Sequence, residues 1–295
     1  MIQVRKAVEN DLEIISSFIA DRNRFKEHHI GYCGVDVAEI KYSLKHDFDD
    51  IPFEDSFVVA SKGQEVVGII GMDIDLQEKH GEVWGPFIKM QKKEWQAVAE
   101  DMWNYLMRQT GKHVKKISHF SNVENELNFA FAESLGFKKR GEHTVLRISP
   151  DQIRKDIENT SITEMTRDYI DEMVKLHESY FPNAYIDGKQ IIGILNANNK
   201  VFICAEQNTL KGYIFVETNP EVQEGSIEFF AVGNEYRKNG IGRSLLLHAL
   251  KWMFMNAGMA HIQLCVNSES SGAINLYRSI GFEVDDELNY FDKFL

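Results

Sequence analysis

The sequence predicts a mixed α/β fold built twice over: two tandem domains, each a mostly antiparallel sheet with helices on both faces. Three observations predict it. The 295 residues suffice for two cores of ordinary size. Residues 122–137 and 267–282 are related at an offset of 145, with Asn, Glu, Ser, Gly and Phe coinciding without a gap, as a duplicated domain requires. Apolar alternation and helical spacing also follow one order in both halves, β-α-α-β-β-β-α-β-α-β.

Taken in order, Ile2-Gln3-Val4-Arg5-Lys6-Ala7 alternates as a strand does, and its counterpart begins at Ile162. An amphipathic helix follows each. Phe57-Val-Val-Ala and Val201-Phe-Ile-Cys both lead through a polar turn into a second apolar run, which reads as a hairpin. Next come strands at 85–88 and 227–232, a helix at 95–108 beneath the one that opens near residue 241, and a strand at 261–266. Ala273, Ile274, Tyr277 and Ile280 recur at helical spacing, and Gly281 is suited to stop that helix. The expected domains are 1–149 and 160–295, with a polar linker at 150–159 that Pro150 opens.

The densest chemical signal stands where the strand at 227–232 turns into a helix, at Arg237-x-x-Gly240-x-Gly242. A helix start offers unpaired N–H groups and the positive end of its dipole, so it holds anions. Glycines let a phosphate reach the backbone without meeting a Cβ. Neither of two better-known glycine motifs fits. No Lys-Ser or Lys-Thr follows Gly242, as a Walker loop needs, and Leu245 fills the position where a dinucleotide fingerprint needs a third small residue.

Strand, Arg-x-x-Gly-x-Gly, long helix, strand, Asn267, short helix with Tyr277, then Gly281-Phe282: this order resembles the GCN5-related N-acetyltransferase (GNAT) family over residues 225–295. The resemblance implies an acetyl-CoA-dependent N-acetyltransferase with acetyl-CoA as cosubstrate. The amine of a small molecule or peptide would attack the thioester directly, in a ternary complex. Backbone N–H groups of Asn239, Gly240, Ile241, Gly242, Arg243 and Ser244 would hold the pyrophosphate, with charge added by Arg237 and Lys238. Val232 would bond the pantetheine arm and the thioester carbonyl, and Asn267 the cofactor arm. Tyr277 would protonate the leaving thiolate, although the same ring also completes an apolar stripe. Asn267 equally suits a helix cap. Period two places Glu228 on one face with residues 230 and 232, which makes it a candidate general base. The acceptor pocket would fall to residues 167–185 and 288–295.

The first half departs from this pattern. Lys92-x-x-Trp95-x-Ala97 lies beneath the glycine loop and Ala132 beneath Tyr277, so this half is expected to keep the fold without the cradle or the acid. A net charge of −12 argues against a nucleic-acid binder. Cys33, Cys204 and Cys265 are too few and too scattered for a disulfide framework, and no metal site is expected. With no membrane-length apolar run and no signal-peptide core, the expectation is a cytoplasmic monomer or homodimer. A second reading fits the same cradle, a CoA-binding regulatory module without efficient transfer. Tyr277 discriminates, since a sensor needs no proton donor at the sulfur.

Overall fold

Phe57 and Val59 pack to one side of their strand and Val58 and Ala60 to the other, and all four are fully buried. Such a strand needs cover on both faces, which only helices above and below the sheet supply. The computed structural model, which describes residues 2–153, 162–182 and 184–295, supplies that cover twice. In chain order the elements are β1 (Ile2–Lys6), α1 (Leu12–Asn23), α2 (Val37–His46), α3 (Phe53–Ser56), β2 (Phe57–Lys62), β3 (Glu65–Asp75), β4 (His80–Ile88), α4 (Lys92–Thr110), β5 (Lys116–Asn122), α5 (Glu126–Ser134) and β6 (Lys138–Ile148). Then follow β7 (Ile162–Glu164), α6 (Ile170–Tyr180), α7 (Gly188–Gly193), β8 (Lys200–Glu206), β9 (Thr209–Asn219), β10 (Glu224–Val232), α8 (Ile241–Met255), β11 (His261–Asn267), α9 (Ser271–Ile280) and β12 (Glu283–Phe294). The order expected for each half is present, with α3 added in the first.

The chain forms two units, residues 1–143 with 286–295, and residues 144–285. These differ from the sequence boundaries of 1–149 and 160–295. The strand that ends each half is the reason. Residues 138–143 of β6 lie in unit 1, whereas 144–148 lie in unit 2. Leu146 and Ile148 are fully buried in the unit 2 core with Ile280 and Phe282. The C-terminal strand goes the other way: residues 288–294 of β12 pair antiparallel with the whole of β5 in unit 1. Of the expected linker at 150–159, residues 154–159 lie outside the described residues, as does residue 160.

In unit 1 the strands run β1-β2-β3-β4-β5-β12, antiparallel except for a parallel β4–β5 pair. Ile15, Ile19, Ile40 and Leu44 of α1 and α2 cover one face, and Trp95, Met102 and Leu106 of α4 the other. Asp36 caps α2 by accepting the N–H groups of Ala38 and Glu39. In unit 2 the order is β6-β11-β10-β9-β8-β7. Phe202, Ile214 and Val216 face α8, while Ile203, Tyr213 and Phe215 face α6 and α7. No described helix is long and apolar enough to cross a membrane.

Candidate active site

The backbone of unit 2 opens a gap in its own sheet. β10 and β11 pair in parallel only through Glu224–His261, Gly225–Ile262 and Ser226–Gln263. Beyond them β10 continues six residues to Val232, held on its other edge by β9. The far end of β11 is correspondingly open, with Cys265 and Asn267 exposed. Strands that diverge leave unpaired backbone groups along the gap, which an extended ligand arm can bond.

At the mouth of that gap the chain passes through a short 3-10 turn, Asn234–Tyr236, into the loop before α8. Lys238 (φ 64°) and Gly240 (φ 78°) both adopt left-handed backbone. That conformation costs little only at Gly240. It leaves the N–H groups of residues 238–243 without a hydrogen bond to any described residue. Six unpaired donors in sequence, at the positive end of a 15-residue helix, fit a diphosphate. Ser244 is not among them: its N–H is bonded to the Gly240 carbonyl at 3.0 Å, so α8 has already closed its first turn there. Gly242 has a second reason to be glycine, since a Cβ there would lie 3.0 Å from Phe230 Cζ and 3.4 Å from Leu276 Cδ2.

The side chains around the loop are largely committed. Arg237 Nε donates to the Val232 carbonyl at 3.1 Å, and its guanidinium lies 5.0 Å from the centre of the Tyr180 ring. Asn239 Nδ2 donates to the Tyr236 carbonyl, and Arg243 Nη1 to Ser279 Oγ at 3.1 Å. Arg243 Nη2 is buried with no partner among the described residues, which leaves one cationic donor unspent between α8 and α9. Asn267 Oδ1 accepts the Glu269 N–H at 2.8 Å and so holds the turn into α9, while Ser270 takes the N-cap position.

Tyr277 is buried beneath the gap, its ring packed between Phe230 and Phe282. The hydroxyl has no hydrogen-bond partner among the described residues. Burial holds the phenol above its ordinary range, so it stays protonated more firmly than a free tyrosine.

Glu228 overturns the period-two argument. Ile227 pairs with Val216 but Phe229 with Phe215, so Glu228 is the extra residue of a β-bulge. Phe230 and Val232 then pack toward α8, whereas the Glu228 carboxylate accepts the Tyr185 hydroxyl at 2.6 Å, and the Tyr185 ring lies against Phe229 on the α6 side. Glu217 on β9, which the sequence reading passed over, belongs to that same side with Tyr213 and Phe215. Burial, then the charge of Glu228, pushes its carboxyl up to about 7. Its signal was present as a carboxylate continuing the alternating stripe of Tyr213 and Phe215. His177 is structural, with Nδ1 paired to the Tyr213 hydroxyl at 2.7 Å and Nε2 to the Ile186 carbonyl at 3.0 Å. Residues 288–294, expected at the acceptor pocket, are the part of β12 that pairs with β5 in unit 1.

The counterpart in unit 1 is built differently. Three residues separate β4 from α4, whereas eight separate β10 from α8. Trp95 therefore does not overhang a loop. It sits inside the first turns of α4, 2% exposed, with its ring against Phe131. Ala132 is buried in α5.

The model of the acetyltransferase (GNAT) family matches residues 160–282. "Probable N-acetyltransferase san" of Drosophila melanogaster is 24% identical over 132 residues, 44% of this chain and 71% of that one. Among solved structures, a GCN5-related N-acetyltransferase from Sphaerobacter thermophilus superimposes with a TM-score of 0.77 at 15% identity, covering 99% of this chain and 95% of its own. A tandem GNAT protein from the clavulanic acid biosynthesis pathway superimposes with a TM-score of 0.65 at 12% identity, covering 100% and 98%.

Proposed function

We propose, from the match of residues 160–282 to the acetyltransferase (GNAT) family model, that unit 2 transfers the acetyl group of acetyl-CoA to a primary amine of a small molecule or peptide. The observation that carries this reading is the run of unpaired N–H groups at 238–243, set at the open end of the β10–β11 gap. A diphosphate fits the first and an extended pantetheine arm the second. Acetyl-CoA supplies the activated acyl group; the chain's residues bind, align and move protons.

Residues 238–243 would hold the pyrophosphate, and Arg243 Nη2 and Lys238 would add charge. The Val232 N–H would donate to the thioester oxygen, stabilising the charge that develops there. The acceptor nitrogen forms a bond to the carbonyl carbon as the C–S bond breaks. Its surplus proton passes to Glu228, directly or through water, and the departing sulfur takes the Tyr277 proton. No group is oxidised, and the products are an N-acetyl amine and CoA. Direct attack in one ternary complex is favoured because none of the candidate groups is an activated nucleophile at the sulfur end of the gap.

An amine panel assayed with acetyl-CoA for thiol release tests this. At least one primary amine should release CoA in step with its own acetylation. Tight acetyl-CoA binding with no release for any amine would leave a CoA-binding regulatory module instead, and absence of binding would remove the assignment.

A further inference from the structure

We propose that Arg237 serves acetyl transfer through the backbone as well as by its charge: with Tyr180 it fixes the end of β10 so that the Val232 N–H is presented to the gap. Both are positioning residues. The inference rests on the reading above, in which that N–H meets the thioester oxygen.

The Gly233 N–H is bonded to the Lys211 carbonyl at 2.9 Å, on the β9 side. N–H and C=O of one residue in an antiparallel strand point the same way, and its neighbour's point the opposite way. Both polar groups of Val232 therefore face away from β9. The strand that should bond them there, β11, has parted from β10 six residues earlier. The sheet therefore holds the peptide that joins Val232 to Gly233 from its β9 side alone, and its carbonyl has no strand to bond on the gap side.

Arg237 takes that place. Its Nε–H closes back on the Val232 carbonyl at 3.1 Å, which sets the tilt of the peptide groups at the strand's end. An exposed arginine would ordinarily be too mobile to hold anything. This one is stacked on Tyr180, 5.0 Å from the ring centre, and its planar fork loses less freedom per bond than a lysine would. Tyr180 in turn is anchored. It ends α6, whose preceding turn is tied to β9 by His177 bonding the Tyr213 hydroxyl, and Tyr213 pairs with Ala231 on β10. The support thus runs from β9 and β10 through α6 to Tyr180, Arg237 and the Val232 carbonyl. Lys238, beside it, has the charge but no such contacts among the described residues.

The full chain carrying Arg237→Lys, Arg237→Ala, Tyr180→Leu or Tyr180→Phe separates position from charge. Three quantities are needed: acetyl-CoA affinity by calorimetry, kcat at saturating amine, and the infrared band of bound acetyl-CoA carrying carbon-13 at its carbonyl. In the wild type that band should lie below its position in water. Arg237→Lys should keep acetyl-CoA affinity within about threefold, lose about 10- to 100-fold in kcat, and return the band toward the free position. Tyr180→Leu should repeat that pattern, while Tyr180→Phe, which keeps the ring, should retain the shifted band. A shifted wild-type band that Arg237→Lys leaves in place, with affinity lost only in Arg237→Ala, would reduce Arg237 to a charge and overturn this inference alone. A wild-type band at the free position would overturn the role given to Val232 and this inference with it.

Discussion

Ile30 and Ser121 form an antiparallel bridge in unit 1, on the edge of β5 that faces β4. The Gly31 N–H bonds the Phe120 carbonyl at 3.1 Å, and the Asn122 N–H bonds the His29 carbonyl at 3.0 Å. Like its counterpart, the β4–β5 pair stops after three residues, at Glu82–Ser118. Here, however, the chain's own residues 29–31 take the free edge. Asn23 fixes the segment by donating to the carbonyls of Ile30 and Gly34 and accepting the Ile30 N–H.

One acetyl-CoA per chain follows. At the start of α4 only the N–H groups of residues 90–93 are without a bond to a described residue, on a connection of three residues rather than eight, and the strand edge a pantetheine arm would use is already bonded. Calorimetry should return a stoichiometry near one, abolished by changes at residues 238–243. Two sites of comparable affinity would show that residues 29–31 can be displaced and would return unit 1 to the catalytic account.

Tyr277→Phe removes only a hydroxyl that bonds nothing described, so neither packing nor any protein hydrogen bond is lost. Turnover should fall about 10²–10⁴-fold while acetyl-CoA affinity stays within about twofold. Unchanged turnover with chemistry rate-limiting would make Tyr277 a core residue of the α9 stripe.

Gly240 and Gly242 should fail in different ways. A methyl at 240 meets nothing within 4 Å, so Gly240→Ala acts through its left-handed φ, costing roughly 1–2 kcal/mol of stability. Gly240→Trp should in addition cover the free N–H groups and abolish acetyl-CoA binding. Gly242→Ala instead crowds Phe230, so its defect should appear first as a lowered melting temperature. Wild-type affinity in Gly240→Trp would move the phosphate site elsewhere.

How far the sequence could reach is set by what each feature leaves in it. The duplication was legible because the offset of 145 survives at the ends of both long helices, Thr110 with Met255, and at the starts of the next strands, Lys116 with His261. The glycine loop was legible because left-handed backbone and close approach restrict residue type. The Glu228 bulge adds one residue without changing composition, so period two misassigned its face. For Trp95 the offset marks a position equivalent to Gly240 but not that α4 starts at Lys92, which puts the ring inside the helix's first turns. The exchange of end strands was invisible for a further reason: 144–148 and 288–294 each carry a strand pattern, and a pattern does not name the sheet it joins.

Carboxyls raised by burial give a pH dependence opposite to that of ion-paired ones. Desolvation, then the charge of Asp73 opposite it on β3, pushes Glu82 up to about 8 from an ordinary 4.5. Between those values the folded chain keeps a proton that the unfolded chain releases, so stability falls as pH rises from about 4.5 to 8 and levels off above. Asp73, raised to about 6, acts in the same direction over a narrower window. Glu82→Gln cannot ionise, and relative to wild type it should gain roughly 2–4 kcal/mol between pH 5 and pH 8.5 in urea denaturation. Parallel stability profiles for the two proteins would mean that Glu82 is solvated in the folded chain.

The exchanged strands decide which fragment can fold. A cut at the expected linker, giving residues 160–295, removes Leu146 and Ile148 from the unit 2 core, each fully buried and each worth roughly 2–5 kcal/mol if reduced to nothing. It also deprives β11 of its neighbour β6. The same fragment retains residues 288–294 without β5, baring an unpaired edge and the Phe291 ring that is otherwise fully buried in unit 1. Residues 144–285 avoid both faults, since they keep the β6 segment and end before the β12 residues that pair with β5. The fragment 144–285 should therefore be folded and bind acetyl-CoA, whereas 160–295 should aggregate or melt far below the intact chain. Circular dichroism melts and calorimetry on the two fragments check this. A cooperative 160–295 matching the intact chain's stability, or an unfolded 144–285, would show that the end strands contribute less to each core than their burial implies.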